Sequence, residues 1–147
     1  MPTRTRSDSP NKNAEATPLP PAAQDGSLHT VMLVEDNELV ARGLNRLLTL
    51  NGYQTVVFNS GTPAIEYAQH HTPSAAVVDL HLPDLSGLVL IRNLRDRFGP
   101  DVPIIVCSGD TSMSTLNSLR HVGATFFLSK PVKGSQLIEE MKKWIAT

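Results

Sequence analysis

Five positions carry side chains able to do chemistry, and each sits at or just past the end of an apolar run. Glu35 and Asp36 follow "TVMLV" (30–34), Asp79 closes "AAVVD" (75–79), Ser108 closes "PIIVCS" (103–108) and Lys130 follows "TFFLS" (125–129). An ionised carboxylate buried alone is costly, so Asp79 has to be paired, bound to a metal, or exposed at a strand end. Three carboxylates brought together repel one another unless a cation lies among them. An all-oxygen donor set suits Mg²⁺, which takes one or two carboxylates and keeps part of its water shell. Lys130 adds a fixed positive charge and Ser108 a hydroxyl. Such a set is a cradle for a phosphoryl group: metal and ammonium neutralise its oxygens, the hydroxyl bonds another, and one carboxylate attacks. One member of the Glu35–Asp36 pair also has a plainer reading, as the cap of a helix beginning near Asn37.

Positioning these residues requires an alternation of strands and helices, and the chain from His29 onward reads that way. "QTVVF" (54–58) supplies the remaining strand. Helices are expected over 38–50, with Val40, Leu44, Leu47 and Leu48 on one stripe, and over about 62–70 after Ser60–Gly61. Others are expected over about 86–98, with Leu88, Ile91, Leu94 and Arg95 at helical spacing, over about 112–122, and over 135–145. Five apolar strands alternating with five helices imply an α/β fold with a parallel sheet buried on both faces. Ligands in such sheets sit at the carboxyl ends of the strands, where all five reactive positions fall. In the flavodoxin-like (βα)5 doubly wound order 2-1-3-4-5, strands one and three are neighbours, so Glu35 and Asp36 converge with Asp79.

Composition excludes several classes. The chain has 147 residues, is 40% hydrophobic and 18% charged, and carries a formal net charge of -1, so no strong field favours nucleic acid or a membrane surface. No apolar run reaches the roughly 18 residues of a membrane span, and the first 28 residues lack the apolar core of a signal peptide. The single cysteine, Cys107, lies in an apolar run and reads as a buried free thiol, which points to a cytoplasmic protein. The five histidines are scattered, which argues against a histidine metal site; His70–His71 read as a helix end. Residues 1–28 hold five of the 11 prolines and no aromatics, and are expected to be a disordered tail or linker before a single domain at 29–147.

Taken together and in order, "LVEDN", "VVDLHLPDLSG", "CSGD" and "FFLSKP" resemble the receiver domain of bacterial response regulators, over residues 30–146. The resemblance implies that Asp79 is the phosphoacceptor, taking its phosphoryl group from a sensor histidine kinase or a histidine phosphotransfer protein. It implies Mg²⁺ held by Asp36, Asp79 and the backbone carbonyl of His81, with Glu35 acting directly or through water. Lys130 would contact the phosphoryl oxygens across a cis Lys130–Pro131 peptide. Ser108 and Phe127 would form a switch pair that reshapes the surface of the fourth helix, fifth strand and fifth helix. Gly87 and Pro83–Asp84 occupy the places of the family's loop glycine and "PD". The side chains of His81 and Asp110, flanking the path of an attacking water, would tune the lifetime of the phosphorylated form. On this reading the protein is a signalling switch, catalysing only its own phosphorylation and dephosphorylation.

The chain ends shortly after "KWI" (143–145), so no output domain is expected after the receiver; a stand-alone receiver and a piece of a longer regulator or hybrid kinase both fit. "GATFF" (123–127) places Thr125 and Phe126 where winged-helix regulators carry an acidic pair. That disfavours their particular dimer and leaves other homodimers open, including one through the helix 4–strand 5–helix 5 surface. A receiver-like interaction module not regulated by phosphorylation is the alternative function. A haloacid-dehalogenase-like phosphatase is disfavoured because position 81 is His. A flavodoxin is disfavoured because "EDNEL" after the first strand would repel a phosphate without metal.

Overall fold

The computed structural model describes residues 29–145; the expected tail at 1–28 lies outside the described residues. Five strands, β1 (Thr30–Val34), β2 (Gln54–Phe58), β3 (Ala75–Asp79), β4 (Ile104–Ser108) and β5 (Phe126–Ser129), alternate with five helices. The helices are α1 (Glu38–Leu50), α2 (Gly61–Ala68), α3 (Gly87–Phe98), α4 (Met113–Val122) and α5 (Gly134–Trp144). All strand pairs are parallel, in the order β2-β1-β3-β4-β5, so the flavodoxin-like doubly wound topology is the one the alternation implies.

The two-residue period of the strands sorts their side chains onto two faces. Val31, Leu33, Ala75, Val77, Ile105, Cys107 and Leu128 pack with Leu44 and Leu48 of α1 and Leu137, Ile138 and Met141 of α5. Met32, Val34, Ala76, Val78, Ile104 and Val106 face the other way, onto Ala64, Ala68, Leu90, Ile91, Leu94 and Leu119 of α2, α3 and α4. The central strands β3 and β4 are buried throughout, which accounts for their unbroken apolar sequence. At the edge the rule weakens: β2 leaves Val57 38% exposed despite its apolar "TVVF".

Helix starts explain the other departures from the sequence reading. The α1 cap is Asn37, whose side chain accepts from the Val40 N–H at 3.1 Å, so neither Glu35 nor Asp36 caps this helix. With that start, Ala41, Leu44 and Leu48 form the buried stripe, Leu47 is half-buried, and Val40 is 37% exposed. Ser86 caps α3 by accepting from Leu88 and Val89, and Ser112 caps α4 by accepting from Thr115. α4 ends at Gly123, in the left-handed conformation at φ 106° that favours glycine. No helix among the described residues is long and apolar enough to cross a membrane.

Candidate functional site

At the carboxyl ends of β1, β3 and β5 the side-chain alternation decides which groups meet. Glu35 continues the Val31–Leu33 row, Asp79 the Ala75–Val77 row, and Lys130 follows two residues after Leu128, all on the α1/α5 side of the sheet. The Lys130 ammonium bridges the two acids, 3.2 Å from Glu35 Oε1 and 3.3 Å from Asp79 Oδ1. Glu35 and Asp79 are 2% and 4% exposed, so both carboxylates have lost nearly all their water and depend on partners. Asp36, one residue further along, is exposed, yet its carboxylate oxygen comes within 4.8 Å of oxygens of Glu35 and Asp79. The sequence-derived acids therefore converge as the topology requires.

The electrostatics follow from that crowding. Burial raises the Glu35 carboxyl above its ordinary pKa; the Asn37 N–H, 3.1 Å from Oε2, opposes this and the Asp79 charge adds to it. Burial works to lower the Lys130 pKa, but the charges of Asp79 and Glu35 and the hydrogen bonds to them outweigh it, holding the ammonium above its usual value. Three acids facing one ammonium, among the described residues, leave an excess of negative charge in a pocket made entirely of oxygen donors. This donor set fits a hard divalent cation such as Mg²⁺.

The remaining residues frame the acids. Ser108 continues the Ile104–Val106 row on the opposite face of the sheet, fully buried, and its hydroxyl accepts from the Asp110 N–H at 3.0 Å. Phe127 pairs with Val106 in the ladder and is half-buried against that same layer. The hydroxyl and the aromatic thus share one side of the sheet, and the acids and the lysine share the other. The Lys130–Pro131 peptide is cis. The His81 N–H donates to Asp79 Oδ1 at 3.3 Å, and His81 forms an antiparallel bridge with Ser86 that closes the β3–α3 loop. His81 and Asp110 both line a cleft of about 590 Å³ between the β3–α3 loop and the start of α4. Asp110 is held there by the Thr115 hydroxyl at 2.6 Å and the Ser112 N–H at 3.0 Å, which lower its pKa.

Two side chains have roles that the sequence reading did not assign. Asp84 accepts from the Gly61 N–H at 2.8 Å and the Thr62 N–H at 2.7 Å, which together with the Thr62 side chain bring its pKa down to about 2. Arg95, expected only as a member of a helical stripe, donates to the carbonyls of Gly123, Gly99 and Val102 and to the Thr125 hydroxyl. Asp84 and, through Gly123 and Thr125, Arg95 reach partners more than twenty residues away, which local spacing does not reveal.

Comparisons with known proteins agree with this geometry. A family model described as the response regulator receiver domain matches residues 31–142. The polar-differentiation response regulator DivK of Brucella ovis is 31% identical over 117 residues, spanning 79% of this chain and 95% of its own. The receiver domain of a sensor histidine kinase from Pseudomonas aeruginosa PAO1, solved with a magnesium ion coordinated in its active site cleft, is similar with a TM-score of 0.74 and 26% identity. That match covers 82% of this chain and 99% of the other. A CheY-like response regulator receiver domain protein from Methanospirillum hungatei JF-1 shares the fold at a TM-score of 0.75 and 22% identity, over 80% and 93% of the two chains.

Proposed function

This chain belongs to the response regulator receiver domain family, and on that premise we propose that it is a phosphorylation-dependent signalling switch whose phosphoacceptor is Asp79. The observation that carries the proposal is the convergence of Glu35, Asp36 and Asp79 within 4.8 Å, with the Lys130 ammonium on two of them. The phosphoryl donor is a phosphohistidine on a sensor kinase or a histidine phosphotransfer protein. A carboxylate oxygen of Asp79 attacks phosphorus, the P–N bond breaks, and the electron pair returns to the imidazole nitrogen. The product is an acyl phosphate, which water later cleaves at the P–O bond to regenerate the carboxylate and release inorganic phosphate.

Asp36, Asp79 and the His81 carbonyl would hold Mg²⁺, with Glu35 assisting directly or through water. When bound, the ion supplies Lewis-acid neutralisation of the phosphoryl oxygens. The chain's own groups do the rest. Lys130, whose ammonium Asp79 and Glu35 hold above its ordinary pKa, binds phosphoryl oxygens as negative charge accumulates. Ser108 offers a hydroxyl from the far side of the strand ends, and its movement leaves space for Phe127 to turn inward. His81 and Asp110, both lining the cleft, set the access of the hydrolytic water. Residues 29–147 form the receiver domain, and the resident compartment is the cytoplasm.

Intact-protein mass spectrometry after incubation with acetyl phosphate tests the reading. The expected result is a gain of one phosphoryl group that requires Mg²⁺ and is lost in Asp79→Ala, with folding of the variant checked by circular dichroism. Wild-type protein that remains at its unmodified mass with Mg²⁺ present would overturn it in favour of an interaction module without phosphorylation.

A further inference from the structure

The β3–α3 loop, residues 80–86, carries His81 and is closed at its base by the antiparallel His81–Ser86 bridge, in which the Gly87 N–H donates to the Leu80 carbonyl at 3.0 Å. The backbones touch here: a Cβ on Gly87 would fall 2.4 Å from the Leu80 oxygen. A second attachment lies at the loop's apex. Both carboxylate oxygens of Asp84 accept from consecutive N–H groups in the first turn of α2, at 2.8 Å from Gly61 and 2.7 Å from Thr62.

First-turn N–H groups have no partner within their own helix, and the residue just before the helix ordinarily serves them. Here that residue, Ser60, makes no side-chain capping bond. The cap arrives instead from 22 and 23 residues away. Leu85 follows Asp84 onto the same helix start, where a Cβ on Gly61 would come within 2.7 Å of its Cδ1. A local acid at position 60 would satisfy α2 equally well. The distant one additionally ties the loop to the helix.

We propose that Asp84 is a positioning residue for the metal-binding loop: by anchoring the apex to α2 it sets the place of the His81 backbone beside Asp79, and so the affinity for Mg²⁺. This rests on the phosphoacceptor reading for the identity of the site. Asp84 itself would touch neither metal nor phosphoryl group. Its loss leaves the loop held at its base and by the packing of Leu85 on α2, without the polar tie at the apex, so more of the ordering of the His81 carbonyl falls to ion binding. Outer-shell residues of this kind typically change metal affinity by about ten- to a hundredfold; for one of several ligands, about three- to tenfold is expected.

The test compares wild type, Asp84→Ala, Asp84→Asn and the double variant Ser60→Asp/Asp84→Ala. Mg²⁺ affinity is measured by calorimetry, and amide hydrogen exchange of residues 80–86 is followed in metal-free protein. Asp84→Ala should bind Mg²⁺ three- to tenfold more weakly and exchange faster in the loop. Its rate with acetyl phosphate should recover at saturating Mg²⁺. Asp84→Asn, keeping one acceptor oxygen, should fall between and carries the comparison should the alanine variant not fold. Ser60→Asp should restore thermal stability without restoring Mg²⁺ affinity. Affinity unchanged within twofold in Asp84→Asn or Asp84→Ala, or recovered by Ser60→Asp, would overturn the proposal. Wild type that binds Mg²⁺ without accepting a phosphoryl group would remove the functional reading while the affinity comparison still decided the tether.

Discussion

Glu35 and Asp79 share one ammonium, at 3.2 and 3.3 Å, and no salt bridge reaches Asp36 among the described residues. Asp36 thus adds a like charge within 4.8 Å of two buried acids without an ion pair of its own to Lys130. Before any metal binds it is a source of repulsion, moderated because it is exposed to water. Asp36→Asn is expected to stabilise the metal-free protein by about 1 kcal/mol, a rise of a few degrees in melting temperature for a domain of this size. On the proposed Mg²⁺ site, added Mg²⁺ should stabilise wild type and the same variant should lose most of that effect, since a ligand that binds only the folded state raises its stability by mass action. Thermal melts in chelator and in Mg²⁺ read both effects, and a variant melting below wild type in chelator would contradict the account. The convergence of the acids and the lysine was legible at this scale because each of them ends or directly follows an apolar run. The position of Asp84 was not, because its partners Gly61 and Thr62 have no sequence relation to it beyond the fold.

At the scale of elements, the alternation of apolar runs and helical stripes gave the strand order's consequences but not the fastenings between elements. Arg95 shows what was hidden. Its place on α3 follows the spacing of Ile91 and Leu94, yet its guanidinium leaves the stripe to bind main-chain oxygens. Nε and Nη2 donate to the Gly123 carbonyl at 3.0 and 2.8 Å, and Nη1 donates to Gly99 and Val102 at 2.7 and 2.8 Å. Thr125, also bonded by Nη2, in turn accepts from the Ile104 N–H at 3.0 Å, joining the entry of β5 to that of β4. Thr125 is therefore committed to internal bonding rather than offered to a partner. Truncation in Arg95→Ala leaves several carbonyls without a donor and should cost about 2–3 kcal/mol in urea unfolding. Arg95→Lys should recover little of this, because an ammonium cannot reproduce a planar fork of donors. A lysine variant as stable as wild type would show that charge, not fork geometry, holds these loops. Edge position was equally invisible in sequence: "QTVVF" reads as buried, but β2 has a neighbour on one side only and Val57 stays exposed.

For the molecule as a whole, the two apolar layers meet in the sheet, so opening either one exposes the central strands. Cys107 reports on this. It is 1% exposed in β4, and burial pushes its thiol up to about 12 with the Lys130 charge only partly opposing. At neutral pH it is neither accessible nor ionised, and the reactive form of a cysteine is the thiolate. Labelling of the thiol should therefore be negligible in the native protein and should grow with urea in step with the loss of far-ultraviolet circular dichroism. Rapid labelling while the dichroism remains native would indicate that the α1/α5 layer opens separately from the rest.

The parallel sheet also gives the molecule two poles of different character. Asp79, Glu35, Asp36 and Lys130 occupy one. At the other, where the strands begin, α5 ends in the buried Ile145, a member of the same apolar layer as Val31, Tyr53 and Ala75. Thr30 at the head of β1 and Trp144 at the foot of α5 thus leave the domain from the face remote from its reactive end. Neither end of the described residues therefore lies over the pole that carries the three acids and Lys130.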